Sequence, residues 1–154
     1  GERRDDAGEA GMAAARSVAL LSYRGGPAYC LTQQDNEELK DDLFKRRVHS
    51  YQRYQGEKLR RRFNAYSYAS VSYAVDSHDI GRGRGGVVEA LKNIKSRTFV
   101  VGITSDILFT EVENRYLADN IAGSHYHLID SSFGHDGFLV EAESLNKLIL
   151  EFIN

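Results

Sequence analysis

The sequence predicts an α/β fold with a parallel β-sheet, and its C-terminal half carries the observations behind that prediction. Residues 99–103, Phe-Val-Val-Gly-Ile, form a short continuous apolar run that is typical of a strand buried on both faces. A second strand is predicted at 125–129. Helical patterns flank both strands, at 87–95, 113–119 and, as a closing amphipathic helix, 138–153. Helices that alternate with strands favour a parallel sheet.

The N-terminal half is predicted to be helical. Residues 9–24 carry apolar side chains at helical spacing, and Gly25-Gly26-Pro27 is a strong stop signal. Residues 35–62 are dense in charge, which indicates a solvated helical surface. Residues 64–75 alternate small polar with aromatic or aliphatic residues, a pattern compatible with a strand or a helix. We favour a helix there.

Two strands are too few for a self-sufficient sheet with helices on both faces, since such sheets usually have about five or six strands. We therefore expect the chain to be part of a larger fold. Its predicted organisation is a helical region at 1–75 and part of an α/β core at 76–154.

Composition excludes several classes of protein. The 154 residues are 42% hydrophobic and 27% charged, which is the profile of an ordinary globular chain rather than a disordered or collagen-like one. Twenty basic and 22 acidic side chains leave a formal charge of −2, so we expect neither a nucleic-acid nor a membrane partner. No apolar run is long enough to span a bilayer, and the first residues are charged where a signal peptide needs an apolar core. With the single Cys30, these features favour the cytoplasm.

The residues that follow the two predicted strands are the sharpest chemical feature. Ser105-Asp106 comes directly after the first strand, and Gly134-His135-Asp136 lies a few residues beyond the second. The carboxyl ends of parallel strands share one edge of a sheet, where ligands and catalytic groups gather. An aspartate and a histidine there would serve as the acid and base of a nucleophile triad, in the chain order of α/β-hydrolases. The alternative is an N-capping aspartate and a surface histidine.

Five segments together carry a specific resemblance: SYR at 22–24, SYQRYQGEKLRRRFNAYSY at 50–68, DSHDIGRGRGG at 76–86, VGITSDILF at 101–109 and GHDGFLVE at 134–141. With them the chain resembles the homoserine O-acyltransferase family of the α/β-hydrolase superfamily, chiefly its homoserine O-acetyltransferase branch. The resemblance implies a partial α/β-hydrolase fold, consisting of a helical lid, the last two parallel strands and their flanking helices. That is less than half of such an enzyme.

The resemblance also implies roles for five residues. Asp106 and His135 match the family's catalytic triad aspartate and histidine, and Asp136 matches the position that binds the substrate amine. Arg16 and Tyr23 match the residues that hold the substrate carboxylate. These two are seven residues apart, which is two helical turns, so both can point into one pocket.

The activity implied is transfer of an acetyl group from acetyl-CoA to the hydroxyl of L-homoserine through an acyl-serine, a step of methionine biosynthesis. Acetyl-CoA would be a co-substrate, no resident cofactor is expected, and a homodimer built through the lid helices is implied. No G-x-S-x-G nucleophile elbow occurs in the 154 residues, so the serine is expected from the rest of the enzyme. We expect this chain alone to be inactive, and the choice between an acetyl and a succinyl donor stays open.

Two other interpretations of the function remain open. An esterase or other hydrolase of the same fold would use Asp106 and His135 without the amino-acid contacts. Gly81–Gly86 matches G-x-G-x-x-G, which makes a nucleotide-binding βαβ domain a second alternative.

His125 and His127 share a strand face but lack a third ligand at sensible spacing, so no metal site is expected. Thr110 stands where the family usually has proline, which affects loop stiffness only.

Overall fold

The computed structural model describes residues 8–35 and 45–154. These residues divide into two compact units. The first, here called the helical unit, comprises the described residues up to Leu21 and those between Cys30 and His78. The second, the sheet unit, comprises Ser22–Tyr29 and Asp79–Asn154.

Four helices supply the helical unit, and two of them continue into the segment 22–29. They are α1 (Glu9–Tyr23), α2 (Gly26–Gln33), α3 (Arg47–Arg60) and α4 (Ala65–Asp76). The predicted helices at 9–24 and 64–75 are thus confirmed. Of the charged segment predicted to be helical at 35–62, residues 36–44 lie outside the described residues. The Gly-Gly-Pro stop does end α1, but α2 begins at Gly26, with Pro27 early in its first turn where a missing N–H costs nothing.

Helices α1 and α3 pack antiparallel at close range. A Cβ on Gly56 of α3 would lie 2.6 Å from the carbonyl oxygen of Ala13, so only glycine lets the helices approach this closely. One turn along, the Ser17 hydroxyl donates to the carbonyl of Gln52 over 2.9 Å. Four-residue steps along both helices keep these contacts on one face. The close approach of the two helices at Gly56 and Ser17 therefore depends on small side chains.

The sheet unit contains two parallel strands joined by a helix, as predicted. Strands β1 (Phe99–Ile103) and β2 (His125–Ile129) have the predicted bounds and pair from Phe99 with His125 to Ile103 with Ile129. Helix α5 (Val87–Lys92) precedes β1, and α6 (Glu111–Asn120) connects the strands. The buried apolar side chains of these elements are Leu91, Val100, Ile103 and Ile129, and Ile121, directly after α6, is buried with them. Burial of β1 on both faces is confirmed only in part, because Phe99 and Val101 stay half-buried.

The C-terminal segment differs from the single closing helix predicted at 138–153. A 3-10 turn at Gly134–Asp136 leads into α7 (Gly137–Val140), and α8 (Ala142–Ile153) follows as a separate helix. The break is at Glu141, whose ψ of 36° leaves the helical region. Phe138 therefore belongs to α7 and does not extend the apolar face of α8. Its ring contacts the 3-10 turn instead.

Aromatic contacts hold the end of α8 against β1. Phe152 stacks on Phe99 with ring centroids 5.2 Å apart. The Arg97 guanidinium lies 4.8 Å from the centroid of the Phe152 ring and also donates to the Phe152 carbonyl. Within the described ranges, no helix combines the length and the apolar character that a membrane span requires.

Candidate active site

The loops that follow the two strands are joined by side-chain to backbone hydrogen bonds. The Ser105 hydroxyl donates to the carbonyl of Ser131 over 2.6 Å and accepts from the N–H of Gly134 over 2.8 Å. The Thr104 hydroxyl accepts from the N–H of Ser131 over 3.1 Å. Because Gly134 directly precedes His135, these bonds fix the backbone of the histidine relative to the aspartate loop.

Asp106 is held by three donors. Its Oδ1 accepts from the backbone N–H groups of Leu108 and Phe109 over 2.8 and 3.0 Å, which closes a tight turn after β1. Its Oδ2 lies 2.8 Å from Nδ1 of His135, and only 6% of the side chain is exposed. Burial on its own would raise the pKa of this carboxyl, but the hydrogen bonds from His135, Phe109 and Leu108 outweigh it and hold the pKa below its usual value. Asp106 is therefore an anion at neutral pH.

His135 is oriented by that anion and by three aromatic rings. An ionised carboxylate only accepts hydrogen bonds, so Nδ1 carries a proton, and in the neutral imidazole the lone pair is then on Nε2. The imidazole makes edge-to-face contacts with Tyr23, Phe109 and Phe138, with centroids 5.3, 5.0 and 5.6 Å away. The side chain is 17% exposed. A histidine in this tautomer, held on three sides, is arranged as a general base.

A cavity of about 280 Å³ opens beside the pair. Asp106 and His135 contribute its titratable groups, and most of its other wall is apolar, formed by Val101, Ile103, Phe109 and Phe138. An apolar wall excludes water and strengthens the electrostatic interactions of the two polar groups. The arrangement can thus move a proton between reacting groups beside a largely apolar wall.

The segment 22–29 packs directly on the histidine loop. A Cβ on Gly25 would lie 2.8 Å from the carbonyl carbon of Ser132, and one on Gly134 would lie 2.7 Å from the carbonyl carbon of Arg24. Gly134 also has a φ of +67°, which favours glycine. This close backbone contact brings Tyr23 onto His135 and puts Nε of Arg24 2.7 Å from Oδ2 of Asp136.

The sheet unit contains four of the five residues singled out in the sequence. Asp106 and His135 are bonded to each other, Tyr23 contacts the imidazole, and Asp136 follows it and pairs with Arg24. The fifth, Arg16, belongs to the helical unit. There it lines a cavity of about 100 Å³ together with Gln55, Lys58, Leu59 and Arg62.

Several residues of the site were missed in the sequence. Ser105 and Phe138 lie within the quoted motifs, but no role was predicted for them because their roles depend on which loops meet in space. Arg24 is part of the SYR motif. Its pairing with Asp136 could not be predicted, because it depends on the close backbone contact between Gly25 and Gly134. Thr110, interpreted above as a change in loop stiffness, is the N-cap of α6 and forms a capping box with Glu113.

The glycine-rich loop does not follow a strand. The element before Gly81–Gly86 is helix α4, which ends at Asp76, whereas a dinucleotide fingerprint directly follows a buried strand. The helix that the loop opens, α5, is only six residues long. In the part of the chain that the structure describes, no three His, Cys, Asp or Glu side chains are grouped to hold a metal ion.

Comparison with known proteins gives consistent sequence matches. No family profile matches the chain. The chain is 45% identical over 152 residues to a homoserine O-acetyltransferase of Cyclobacterium marinum, a match that covers 99% of this chain and 42% of the relative. It is 40% identical over 149 residues to a homoserine O-acetyltransferase of Thermobifida fusca, covering 93% and 39%. The chain thus spans about two fifths of the length of the curated relatives that it matches.

Solved structures agree with the fold. A homoserine O-acetyltransferase from Staphylococcus aureus superposes with a TM-score of 0.72 at 27% identity, over 96% of this chain and 42% of that one. The esterase E22 gives a TM-score of 0.80 over 99% of this chain and 44% of that one, and its 14% identity shows the fold alone. These matches confirm the resemblance predicted from the motifs and the partial α/β-hydrolase fold.

Proposed function

We propose, from the premise that this chain belongs to the homoserine O-acetyltransferase family over the part that it matches, that it supplies the general base and the orienting acid of acetyl transfer to L-homoserine. The donor in this proposal is acetyl-CoA, and the reaction belongs to methionine biosynthesis. The observation that carries the proposal is the 2.8 Å contact between Nδ1 of His135 and Oδ2 of Asp106 at the carboxyl edge of the two strands.

The first half of the reaction forms an acyl-enzyme. A serine outside these 154 residues attacks the thioester carbonyl carbon, and Nε2 of His135 takes the hydroxyl proton. Asp106 holds the required tautomer and stabilises the imidazolium that forms. The carbon–sulfur bond then breaks, and the imidazolium returns its proton to the leaving thiolate. The acetyl group is left on the serine oxygen.

The second half transfers the acetyl group to homoserine. The homoserine hydroxyl gives its proton to Nε2 of His135 while its oxygen attacks the acetyl carbonyl, and the serine leaves with that proton. Asp136 would bind the ammonium group of homoserine, and Arg16 and Tyr23 would bind its carboxylate. Water competes for the same acyl-serine, so transfer prevails only if these contacts position the hydroxyl at high effective molarity.

The apolar rings around His135 support transfer over hydrolysis. Tyr23, Phe109 and Phe138 contact the imidazole, and the His135 side chain is left 17% exposed. A site that excludes water and places one acceptor is what an acyltransferase needs. No resident cofactor is required, because the proton transfers and the positioning come from side chains.

The proposal is tested by the partition between transfer and hydrolysis. The assay uses the full-length protein that carries this chain and measures O-acetylhomoserine and acetate from acetyl-CoA. We expect Asp136→Ala to lower the ratio of transfer to hydrolysis about tenfold or more, as loss of one charge-assisted contact implies. Lys92→Ala, which removes an exposed ion pair with Glu89, is the control and leaves the ratio unchanged. An unaltered ratio in Asp136→Ala argues against the amine role.

Hydrolysis is the rival activity, because the same histidine and aspartate pair serves an esterase equally well. The two activities are separated by comparing CoA release with and without homoserine. An acyltransferase forms O-acetylhomoserine and releases CoA faster when homoserine is present. A hydrolase gives acetate at the same rate in both cases.

A cytoplasmic homodimer completes the proposal. Helix α4 exposes Val71 and Val75, one turn apart on the same face, by 57% and 69%, and an apolar helix face of this kind supports a contact with a second copy. The exposed thiol of Cys30 is compatible with a reducing compartment. The mass of the full-length protein in solution, with and without Val71→Asp, tests the dimer.

A further inference from the structure

The ion pair between Arg24 and Asp136 is not explained by the roles assigned so far. Nε of Arg24 lies 2.7 Å from Oδ2 of Asp136, and the side chains are 29% and 18% exposed. Arg24 comes from the end of the first helical segment and Asp136 from the 3-10 turn that contains His135. The pair therefore connects two segments far apart in sequence, one residue away from the proposed base.

The carboxylate of Asp136 has unused hydrogen-bonding capacity. Among residues 8–35 and 45–154, Arg24 is the group that pairs with it, through Oδ2 only. A carboxylate offers about four lone-pair positions, and one that has lost most of its water gains from further donors. Oδ1 is thus available to a donor from outside this part of the protein.

The backbone of Arg24 is fixed at this place. The contacts of Gly25 with Ser132 and of Gly134 with Arg24 leave no room for a Cβ, so the two segments are in direct backbone contact. The Arg24 side chain therefore extends to Asp136 from a fixed backbone position. The guanidinium attracts Oδ2 of Asp136 at 2.7 Å by charge, and this attraction favours the orientation of the carboxylate in which Oδ1 faces away from Arg24.

We propose that Arg24 is a positioning residue that holds Oδ2 of Asp136 so that Oδ1 receives the ammonium group of an α-amino acid acceptor. This inference rests on the proposed function and deepens it, since it names the group that sets the amine subsite. The Arg24–Asp136 pair has no net charge, so it suits a zwitterionic ligand whose own charges also balance. Without the guanidinium, the Asp136 carboxylate keeps its charge, but its preferred orientation is lost.

The test compares an acceptor that has the amine with one that lacks it. L-Homoserine and 4-hydroxybutanoate carry the same hydroxyl and carboxylate and differ in the amine. In the full-length protein, we expect Arg24→Ala to lower the ratio of kcat/KM for homoserine to kcat/KM for 4-hydroxybutanoate about tenfold, chiefly through KM for homoserine. Arg24→Lys, which restores a cation, recovers part of the ratio.

A double mutant separates positioning from a general structural effect. In an Asp136→Asn background, Arg24→Ala has no further effect on the ratio if Arg24 acts through Asp136. Arg115→Ala is the matched control, because it removes an ion pair of the same 2.7 Å length, with Glu111 on exposed α6, and leaves the ratio unchanged. If Arg24→Ala does not fold, Arg24→Gln carries the same comparison with a side chain of more similar size.

Two failures are distinguishable. If the wild-type protein transfers acetyl groups to homoserine and Arg24→Ala weakens both acceptors equally, Arg24 has only a structural role and this inference is overturned. If the wild-type protein forms no O-acetylhomoserine from acetyl-CoA, the proposed function itself fails.

Discussion

Gly134 allows the histidine loop to contact the segment 22–29, and its replacement by alanine should be costly for two separable reasons. Its φ is +67°, in the region that an L side chain rarely adopts. A Cβ there would also lie 2.7 Å from the carbonyl carbon of Arg24 and 3.0 Å from the carbonyl oxygen of Tyr23. Both atoms belong to backbone, which cannot move aside as the end of a flexible side chain can.

Gly123 provides the matched control. Its φ is +68°, almost the same as that of Gly134, but nothing lies within 4 Å of the position of its Cβ. Gly123→Ala should therefore lower the free energy of unfolding by the conformational penalty alone, about 1–2 kcal/mol. Gly134→Ala adds an overpacking penalty of about 1–3 kcal/mol, which gives a total of roughly 2–5 kcal/mol.

The assay is equilibrium urea denaturation of the full-length protein and both variants, with the proposed acetyl transfer measured in parallel. We expect the larger loss of unfolding free energy in Gly134→Ala, together with a lower kcat because the next residue is His135. Gly123→Ala should keep its kcat. Equal destabilisation by the two variants would refute the inferred backbone contact between Gly134 and the segment 22–29.

Three further predictions concern single side chains of the sheet unit. Ser105→Ala removes a hydroxyl that donates to Ser131 and accepts from Gly134. Thermal unfolding should therefore show that the free energy of unfolding falls by about 1–3 kcal/mol, and kcat should fall as well. Because the folded pKa of Asp106 is depressed, its ionisation stabilises the fold fully above the unfolded value of about 3.9 and less as pH falls through the lower folded value. Asp106→Asn should therefore flatten the loss of unfolding free energy in that acidic window, and an unchanged acid profile would contradict the assignment. Thr110→Ala should cost about 1 kcal/mol by removing the N-cap of α6, whereas Thr110→Ser retains the hydroxyl and should be nearly neutral in urea denaturation.

Secondary structure was largely predictable because it depends on local patterns. Both strands have the predicted bounds, 99–103 and 125–129. For 99–103 the signal was a short continuous apolar run. The closing helix was predicted as one element at 138–153, and the structure divides it at Glu141. The apolar spacing alone did not reveal that break.

The chemical site was predictable in part. The position of Asp106 and His135 after parallel strands indicated that they share an edge, and the structure brings them to 2.8 Å. The bonds of Ser105, the rings around His135 and the capping role of Thr110 were not predicted. Each depends on the path of a loop rather than on the spacing of residues along an element.

By itself the sequence determined the two strands, most helices and the positions of the aspartate and histidine proposed as acid and base, because hydrophobic periodicity and motif spacing act over short distances along the chain. Only the tertiary structure decided that Gly25 and Gly134 meet, that Tyr23 covers the imidazole and that Arg24 reaches Asp136. These contacts join residues more than 100 positions apart, and such contacts depend on which backbones can approach without a Cβ between them.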